Sequence, residues 1–223
     1  MALKKDIITS AIGMLVMVAL CGILYPLFIT GVSQVAFPGN ANGQLVYQHG
    51  QLVGSKLIGQ NFGDLAINPK TGKVQMSDGN PVTTPDPRYF QTRPSGTTPS
   101  DNAAATTFAN YGPNSKITEQ ALSSNIQAYI QLNGRYYPGG LTAAKIPVDA
   151  ADTSASGIDP DISVANAGIQ AYRIAAVDHI PLAQVKRLVS KYTGRRGLGF
   201  SGEDTVNVLE LNLAIHHIIG GGR

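Results

Sequence analysis

The longest apolar run of the sequence is Ile12–Ile29, which reads IGMLVMVALCGILYPLFI. No residue from Ile7 to Phe37 is charged, and crossing the core of a bilayer takes about 20 residues. A cleaved signal peptide is the alternative, but its apolar region is only about 7–15 residues long, and Val32–Phe37 offers no small-x-small cleavage site. The run therefore predicts an uncleaved transmembrane helix over residues 7–36. Pro26 should kink this helix, because proline donates no backbone hydrogen bond.

The charges that flank this helix predict its orientation. Lys4 and Lys5 precede it, whereas no lysine or arginine follows it before Lys56. Positively charged flanks stay in the cytoplasm. Residues 1–6 are therefore expected to be cytoplasmic and residues 37–223 to form an extracytoplasmic domain on a single-pass anchor.

Composition excludes several classes of protein. The 17 basic and 14 acidic residues give a net charge of only +3, which is too small an excess to neutralise nucleic-acid phosphates. The single cysteine, Cys21, excludes internal disulfides and a cysteine-rich zinc site. An apolar content of 43% is sufficient to build a core.

Residues 37–223 predict one mixed domain of the α+β class, because strand-like segments precede helical ones. Two β-like runs, Gln44–Gln48 and Gln51–Gly59, flank His49-Gly50 and predict a hairpin. Residues 60–113 predict a long connection in which Arg88–Thr92 could form a short strand. The next segment predicts a helix over 116–132 that is capped by Ser115 or Asn114 and ended by Gly134. A strand is predicted over 144–150, followed by helices over 163–177 and 182–192. The last segment predicts a buried helix over 206–219, although its start could be a strand.

Two sequence matches suggest catalysis but lack the necessary context. Residues 197–202 match GxGxxG, yet a helix rather than a strand precedes them, so the match predicts a glycine-rich turn. Ser154 and Ser156 lack the glycine frame of a nucleophile elbow. Both are expected to bond backbone groups within a polar turn.

Two further groups could bind a cation but favour structural roles. The adjacent pair His216-His217 points to different faces of a helix and makes a poor chelate. Asp159-Pro160-Asp161 with Ser163 favours capping of the following helix over cation coordination. No catalytic, cofactor-binding or metal-binding residue is therefore predicted. A membrane-anchored extracytoplasmic enzyme and a solute-binding or sensor module remain alternatives.

The order of segments along the chain resembles the C-subunit family of the bacterial Kdp potassium-transporting P-type ATPase. An N-terminal span comes first, and Asp64–Asp86 departs from the family as an insertion. The matching motifs are GSKLIGQNF (Gly54–Phe62), YFQTRPS (Tyr89–Ser95), ANYGPNS (Ala109–Ser115, a drifted form), IPVDAADTSASGIDPDIS (Ile146–Ser163), QAYRIA (Gln170–Ala175) and LGFSGEDTVNVLELNLAI (Leu198–Ile215).

The resemblance implies a non-catalytic accessory subunit of a high-affinity, ATP-driven potassium-uptake complex in a bacterial inner membrane. Its implied partners are a potassium-channel-like subunit, a P-type ATP-hydrolysing subunit and a small membrane subunit, with membrane lipid around the span. The family is also described as a catalytic chaperone that raises the ATP affinity of the hydrolysing subunit. ATP would then act through that partner, with no cofactor bound by this chain directly, and the outer domain is expected to cap the potassium entrance.

Eight polar residues within the matched motifs are candidate interface or structural residues, with a structural role favoured for each. Arg93, before Pro94, can fork to a carboxylate or to carbonyls. Buried asparagines in an apolar helix need hydrogen-bond partners. Gln60 and Asn61 are expected to close the hairpin end, Ser156 and Asp159 to set the turn entering a helix with Arg173 as its partner, and Asn207 and Asn212 to be the buried asparagines.

Overall fold

The computed structural model forms two compact units, Met1–Val53 and Gly54–Arg223. Each unit is described by itself below. The described residues are 2–77, 79–97, 99–104, 111–112, 114–197 and 199–220.

The first unit begins with the predicted apolar helix. It consists of α1 (Ala2–Met17), a π-helical segment (Val18–Leu24) and α2 (Tyr25–Ala36). Together Leu3–Ala36 form 34 helical residues, whose most apolar part has a mean hydropathy of 2.5 and is not buried within the protein. The π-helical turns end just before Pro26, where the proline ring and its missing N–H disturb an α-helical ladder.

A short helix and a hairpin complete this part of the chain. Helix α3 (Pro38–Ala41) is followed by β1 (Leu45–Gln48) and β2 (Gln51–Ser55), which pair as a two-stranded sheet. His49 and Gly50 join the strands with φ values of 51° and 79°. Left-handed geometry at both positions is that of a two-residue hairpin turn, which confirms the predicted hairpin.

Two small antiparallel sheets occupy part of the predicted connection. Strand β3 (Gly63–Leu65) pairs with β6 (Thr83–Pro85), and β4 (Met76–Ser77) pairs with β5 (Asn80–Pro81) between them. The prediction of an irregular connection over 60–113 was therefore wrong for this part. Strands of two or three residues are too short to show an alternating pattern in a sequence rich in turn residues.

The described part of the second unit contains four helices of ten or more residues and a three-stranded sheet, so the α+β prediction is confirmed. The helices are α4 (Lys116–Asn133), α5 (Val164–Val177), α6 (Leu182–Lys191) and α7 (Val208–Gly220). The antiparallel sheet has the order β7 (Asp161–Ser163), β9 (Thr205–Asn207), β8 (Thr193–Gly194). The hydrophobic core lies between α5, α6, α7 and this sheet. Its buried residues are Phe90, Ile162, Ala167, Ala171, Ile174, Ile180, Val185, Val189, Val206, Val208, Leu211 and Ile215.

Local sequence signals explain where α4, α5 and α6 begin. Ser115 Oγ accepts a bond from Ile117 N at 3.3 Å, so Ser115 caps α4. Ser163 Oγ accepts from Asn166 N at 3.1 Å at the start of α5. Pro181 precedes α6, where a missing N–H has no cost.

The predicted strand over 144–150 was wrong. Two 3-10 turns occupy this region, Ala143–Lys145 and Val148–Ala150, separated by Ile146 and Pro147. Pro147 has no N–H to donate to a strand ladder.

Candidate functional site: the clamped segment 86–97

The segment from Asp86 to Thr97, called the clamped segment below, carries the YFQTRPS motif through the centre of the second unit. Phe90 is completely buried in the core cluster. No strand forms at Arg88–Thr92, so that prediction was wrong. Buried backbone groups must find partners, and here the partners of Phe90 and Gln91 are side chains from α5 and α7 instead of a neighbouring strand.

Asn212 on α7 binds the backbone of Phe90 with both ends of its amide. Its Oδ1 accepts from Phe90 N at 2.8 Å, and its Nδ2 donates to Phe90 O at 2.9 Å. Asn212 is only 1% exposed. One side chain thus supplies the two bonds that a paired strand residue would make.

Gln170 on α5 repeats this arrangement one residue further along. Its Oε1 accepts from Gln91 N at 2.8 Å and its Nε2 donates to Gln91 O at 3.0 Å. The amide of Gln91 in turn donates to the carbonyls of Phe62, Asp86 and Tyr89 at 3.0–3.1 Å. The two amides fix the loop on both sides of its backbone.

Arg173 completes the clamp as a fully buried cation. Its Nε donates to Asn133 Oδ1 at 2.9 Å and its Nη2 to Gln170 Oε1 at 2.8 Å. Its Nη1 donates to Tyr89 O at 3.0 Å and also to Pro87 O. All four acceptors are neutral, and burial lowers the pKa of Arg173 to about 10, so the guanidinium stays charged at neutral pH.

A second layer of hydrogen bonds holds the clamp in place. Asn166 Oδ1 accepts from Gln170 Nε2 at 3.0 Å and from Tyr129 Oη at 2.8 Å. Asp149 accepts from Asn166 Nδ2 at 3.0 Å, and burial raises the pKa of the Tyr129 hydroxyl. Four residues of the clamp were not predicted from the sequence, namely Gln91, Asn133, Asn166 and Gln170. The spacing of Asn166, Gln170 and Arg173, which places them on one helical face, is the signal that could have found them.

Arg93, which belongs to the clamped segment, binds the segment to residues 152–159. Its Nη2 donates to Thr153 O at 3.0 Å, its Nε and Nη2 reach Asp152 O at 3.4 Å, and its Nη1 lies 3.5 Å from Asp159 Oδ2. Arg93 therefore contacts both carbonyls and a carboxylate. Asp159 is bonded by Arg93, whereas Arg173 is buried and binds the clamped segment.

The serines of the TSASG sequence lie in a polar turn. Ser154 Oγ and Ser156 Oγ are 3.1 Å apart. Ser154 Oγ accepts from Gly157 N at 3.0 Å, and Ser156 Oγ accepts from Ile158 N at 3.3 Å. Asp159 Oδ1 accepts from Asp161 N at 3.0 Å. Asp159 thus shapes the turn before β7, whereas Ser163 is the cap of α5.

The remaining predicted site residues lie apart from the clamp. Asn207 donates to Lys56 O at 2.9 Å and to Asp161 Oδ1 at 3.0 Å, and its Oδ1 accepts from Glu210 N at the start of α7. Asn61 Nδ2 donates to Thr83 Oγ1 at 2.8 Å, so Asn61 stabilises the paired strands β3 and β6 instead of the β1–β2 hairpin. Gln60 is exposed, and its Oε1 lies beside Gly54.

The other motifs have structural positions. Gly199 and Gly202 have φ values of 82° and 84°, and Gly197 bridges Ser201. The GxGxxG match is therefore a turn, with Leu198 outside the described residues. His216 Nδ1 lies 3.0 Å from Tyr89 Oη. Among the described residues, no group of three or more His, Cys, Asp or Glu side chains is placed to hold a metal ion.

A cavity of about 290 Å³ lies between α4 and the clamped segment. Asn61, Arg93, Asp101 and Tyr129 are among its lining residues. Asp101 Oδ2 accepts a weak bond from Thr92 Oγ1 at 3.4 Å, and burial raises the pKa of this carboxyl to about 6. The cavity can accept a small polar or cationic group.

Replacing Arg93 by alanine is expected to lower the free energy of unfolding by about 1–3 kcal/mol, because the carbonyls of Asp152 and Thr153 lose their donor. The stability of Arg93→Lys should lie between that of the parent protein and that of Arg93→Ala, since lysine keeps the charge but not the planar guanidinium. Urea unfolding of the detergent-solubilised chain, followed by far-UV circular dichroism, measures the change. Arg187→Ala on the exposed side of α6 is the control, and equal losses for the two alanine variants would contradict the assignment.

Asp101 should make stability fall with rising pH. Its pKa is raised from 3.8 to about 6 in the folded protein. The contribution of Asp101 to the free energy of unfolding is therefore fully present below about pH 4 and is lost as the pH rises through about 6. Asp101→Asn should remove this loss, so that the advantage of the variant grows between pH 4 and pH 6 and then levels off. Thermal unfolding at several pH values tests this, and parallel profiles for variant and parent would contradict it.

Comparison with known proteins gives matches over almost the whole chain. The family model described as "KdpC: K+-transporting ATPase, c chain" matches residues 7–217. The potassium-transporting ATPase KdpC subunit of Mycobacterium tuberculosis is 37% identical over 216 residues, which cover 97% of this chain and 100% of the relative. The corresponding subunit of Methylococcus capsulatus is 39% identical over 203 residues (91% and 92%), and that of Variovorax paradoxus is 41% identical over 198 residues (88% and 88%).

Proposed function

Because this chain belongs to the KdpC family of K+-transporting ATPase c chains, we propose that it is a non-catalytic accessory subunit of an ATP-driven potassium-uptake complex. The observation that carries the proposal is the helix Leu3–Ala36, which is strongly apolar and is left uncovered by the protein itself. Such a surface is stable in lipid or against other membrane helices. The helix anchors the chain in a bacterial inner membrane.

The orientation follows from the charges beside the helix. Lys4 and Lys5 keep the N-terminus in the cytoplasm. The body of the chain then lies in the periplasm, where it caps the potassium entrance of a channel-like subunit.

The effect on ATP is indirect in this arrangement. Residues 1–6 are the part of the chain on the cytoplasmic side, where ATP is hydrolysed. The chain therefore raises the ATP affinity of the P-type subunit by stabilising one state of the complex, and this coupling passes through the membrane. ATP is a ligand of the partner and not of this chain.

Purification of the chain from its own membranes tests the assembly. A tagged chain in mild detergent should bring with it a large P-type ATPase, a multi-span channel-like protein and a small membrane subunit. A reporter fused after Arg223 should be periplasmic. Recovery of the chain alone, or a cytosolic reporter, would overturn the proposed assembly or the proposed orientation respectively.

The chaperone role has a separate kinetic test. The ATPase activity of the complex with and without this chain should show a higher apparent KM for ATP when the chain is missing. If the partners stay associated and the KM is unchanged, the role of the chain is assembly and not control of ATP affinity.

Function as a solute-binding module is the second candidate, and the cavity beside Asp101 favours it. Asp101 has no cationic partner among its described hydrogen bonds, so a small cation is the ligand that would suit it. Calorimetric titration of the detergent-solubilised chain with potassium chloride distinguishes the two functions. Heat of binding that disappears in Asp101→Asn would favour the module, whereas an accessory subunit should bind no potassium alone.

A further inference from the structure

Exposed apolar side chains continue beyond the end of the membrane helix. Phe37, Leu45, Tyr47 and Leu52 are 63%, 46%, 61% and 56% exposed. All four lie in the first unit, Met1–Val53. They are called the interface patch below.

Three of these residues share one face of the β1–β2 hairpin. Leu45 and Tyr47 are two residues apart in β1, so both point to the same side of the strand. The two-residue turn at His49-Gly50 places Tyr47 opposite Leu52 of β2. The alternate residues Val46 and Val53 are less exposed. The hairpin therefore has one outward apolar face.

Hydrogen bonds hold the chain close to the helix end. The amides of Gln34, in the last turns of α2, and Asn42 exchange two bonds of 3.2 and 3.1 Å. Asn42 Nδ2 also donates to Pro38 O at 2.7 Å, and Gln44 N donates to Gly39 O at 2.8 Å. The chain turns back after Ala36, and β1 begins next to the end of the membrane helix.

The charge pattern matches immersion of this region in a lipid interface. No Asp, Glu, Lys or Arg occurs from Ile7 to Ser55, and the first charged residue after the helix is Lys56. The uncharged stretch thus extends past the helix and ends with the hairpin. Pairing of β1 with β2 satisfies the backbone groups on their facing edges, which lowers the cost of leaving bulk water, and the groups on the two outer edges can bind water and lipid headgroups.

We propose that the interface patch lies in the headgroup region of the outer leaflet and fixes the depth of the membrane helix. The proposal rests on the membrane anchor proposed above. Phenylalanine and tyrosine suit this zone, because their rings are apolar and the tyrosine hydroxyl stays hydrated. A 34-residue helix is about 51 Å long, whereas the hydrocarbon core is about 30 Å thick. The helix alone leaves its position along the membrane normal undetermined, and the patch sets the level of its outer end.

Depth measurements with spin labels test this directly. In a Cys21→Ser background, single cysteines replace Tyr47 (patch), Gln51 (exposed, on the other face) and Val16 (within the span). Each full-length chain is labelled, reconstituted alone into phosphatidylcholine–phosphatidylglycerol vesicles, and measured for collision with oxygen and with a water-soluble nickel chelate. The ratio of the two collision rates reports depth in the bilayer.

Position 47 should collide with oxygen at least about threefold more, relative to the nickel chelate, than position 51, and position 16 should be deeper than both. If position 16 is deep but positions 47 and 51 are equally accessible to the chelate, the patch proposal is wrong and the anchor stands. If position 16 is accessible to the chelate, the anchor itself is wrong. Protection of position 47 from both reagents only in the assembled complex would identify a protein neighbour as its occupant and would also overturn the proposal.

Discussion

Replacing Arg173 by alanine should destabilise the second unit by about 3–5 kcal/mol, because several buried acceptors lose their donor at about 1–3 kcal/mol each while the cost of burying the cation is relieved. The guanidinium supplies four hydrogen bonds, to the carbonyls of Pro87 and Tyr89 and to the side chains of Asn133 and Gln170. Without it, these acceptors remain buried with no donor. Because whole domains are stable by only about 5–15 kcal/mol, the variant should lose a large part of its stability, and its melting temperature should fall by about 6–20 °C.

The comparison among arginine variants makes this prediction specific. Arg173→Lys keeps the charge but cannot reach four acceptors in one plane, so it should recover only part of the stability. Arg187→Ala, on the exposed side of α6, should change stability by less than about 0.5 kcal/mol. Thermal unfolding followed at 222 nm measures all three. A melting temperature of Arg173→Ala equal to that of Arg187→Ala would rule out a supporting role for this cation.

Features of the fold that depend on local signals could be predicted from the sequence. The apolar run Ile12–Ile29 is long enough to require a helix, and His49-Gly50 between two β-like runs requires a turn. The helix starts near Ser115 and Ser163 follow from side-chain capping. Each of these signals lies within a few residues of the element that it determines, so the rest of the fold is not needed to interpret it.

The clamped segment could not be predicted, because its conformation depends on residues far away in the chain. Tyr89-Phe90-Gln91 has the composition of a strand, but its backbone partners are Gln170 and Asn212, which follow by 79 and 122 residues. Asn212 was identified as a polar residue that needs a partner, yet nothing in the sequence indicates which one. The partners of Arg173 could not be predicted for the same reason.

The clamp also gives meaning to the YFQTRPS motif on which the family resemblance partly rests. Tyr89 O, both backbone groups of Phe90 and Gln91, and the Arg93 side chain are all bound within the same unit. The side chains of the motif that are used within the unit are the buried Phe90 ring, the Gln91 amide and the Arg93 guanidinium. A role of Arg93 in contacting a partner subunit stays a prediction, to be separated from stability by comparing recovery of the complex with unfolding of the isolated chain.

Changing Asn212 to aspartate should cost about 2–4 kcal/mol at neutral pH. The two side chains have nearly the same shape, so packing is preserved. In the variant, one carboxylate oxygen can still accept from Phe90 N. The other carboxylate oxygen takes the place of Asn212 Nδ2, which donates to Phe90 O at 2.9 Å in the parent protein, so two acceptors face each other. A buried charge then lies against a carbonyl oxygen. Urea unfolding of the full chain in detergent, at pH 5 and pH 8, measures the loss.

The pH dependence of that loss distinguishes a missing donor from poor packing. Burial raises the pKa of the new carboxyl above its ordinary value of about 3.9, and the protonated acid can again donate to Phe90 O. Stability is therefore retained below the ordinary value and is lost as the pH rises through the raised one. Asn212→Leu lacks any donor and should be equally unstable at both pH values. Gln127→Glu, the same amide-to-acid change on the exposed face of α4, is the control, and a deficit of Asn212→Asp that does not shrink in acid would contradict the two-bond clamp on Phe90.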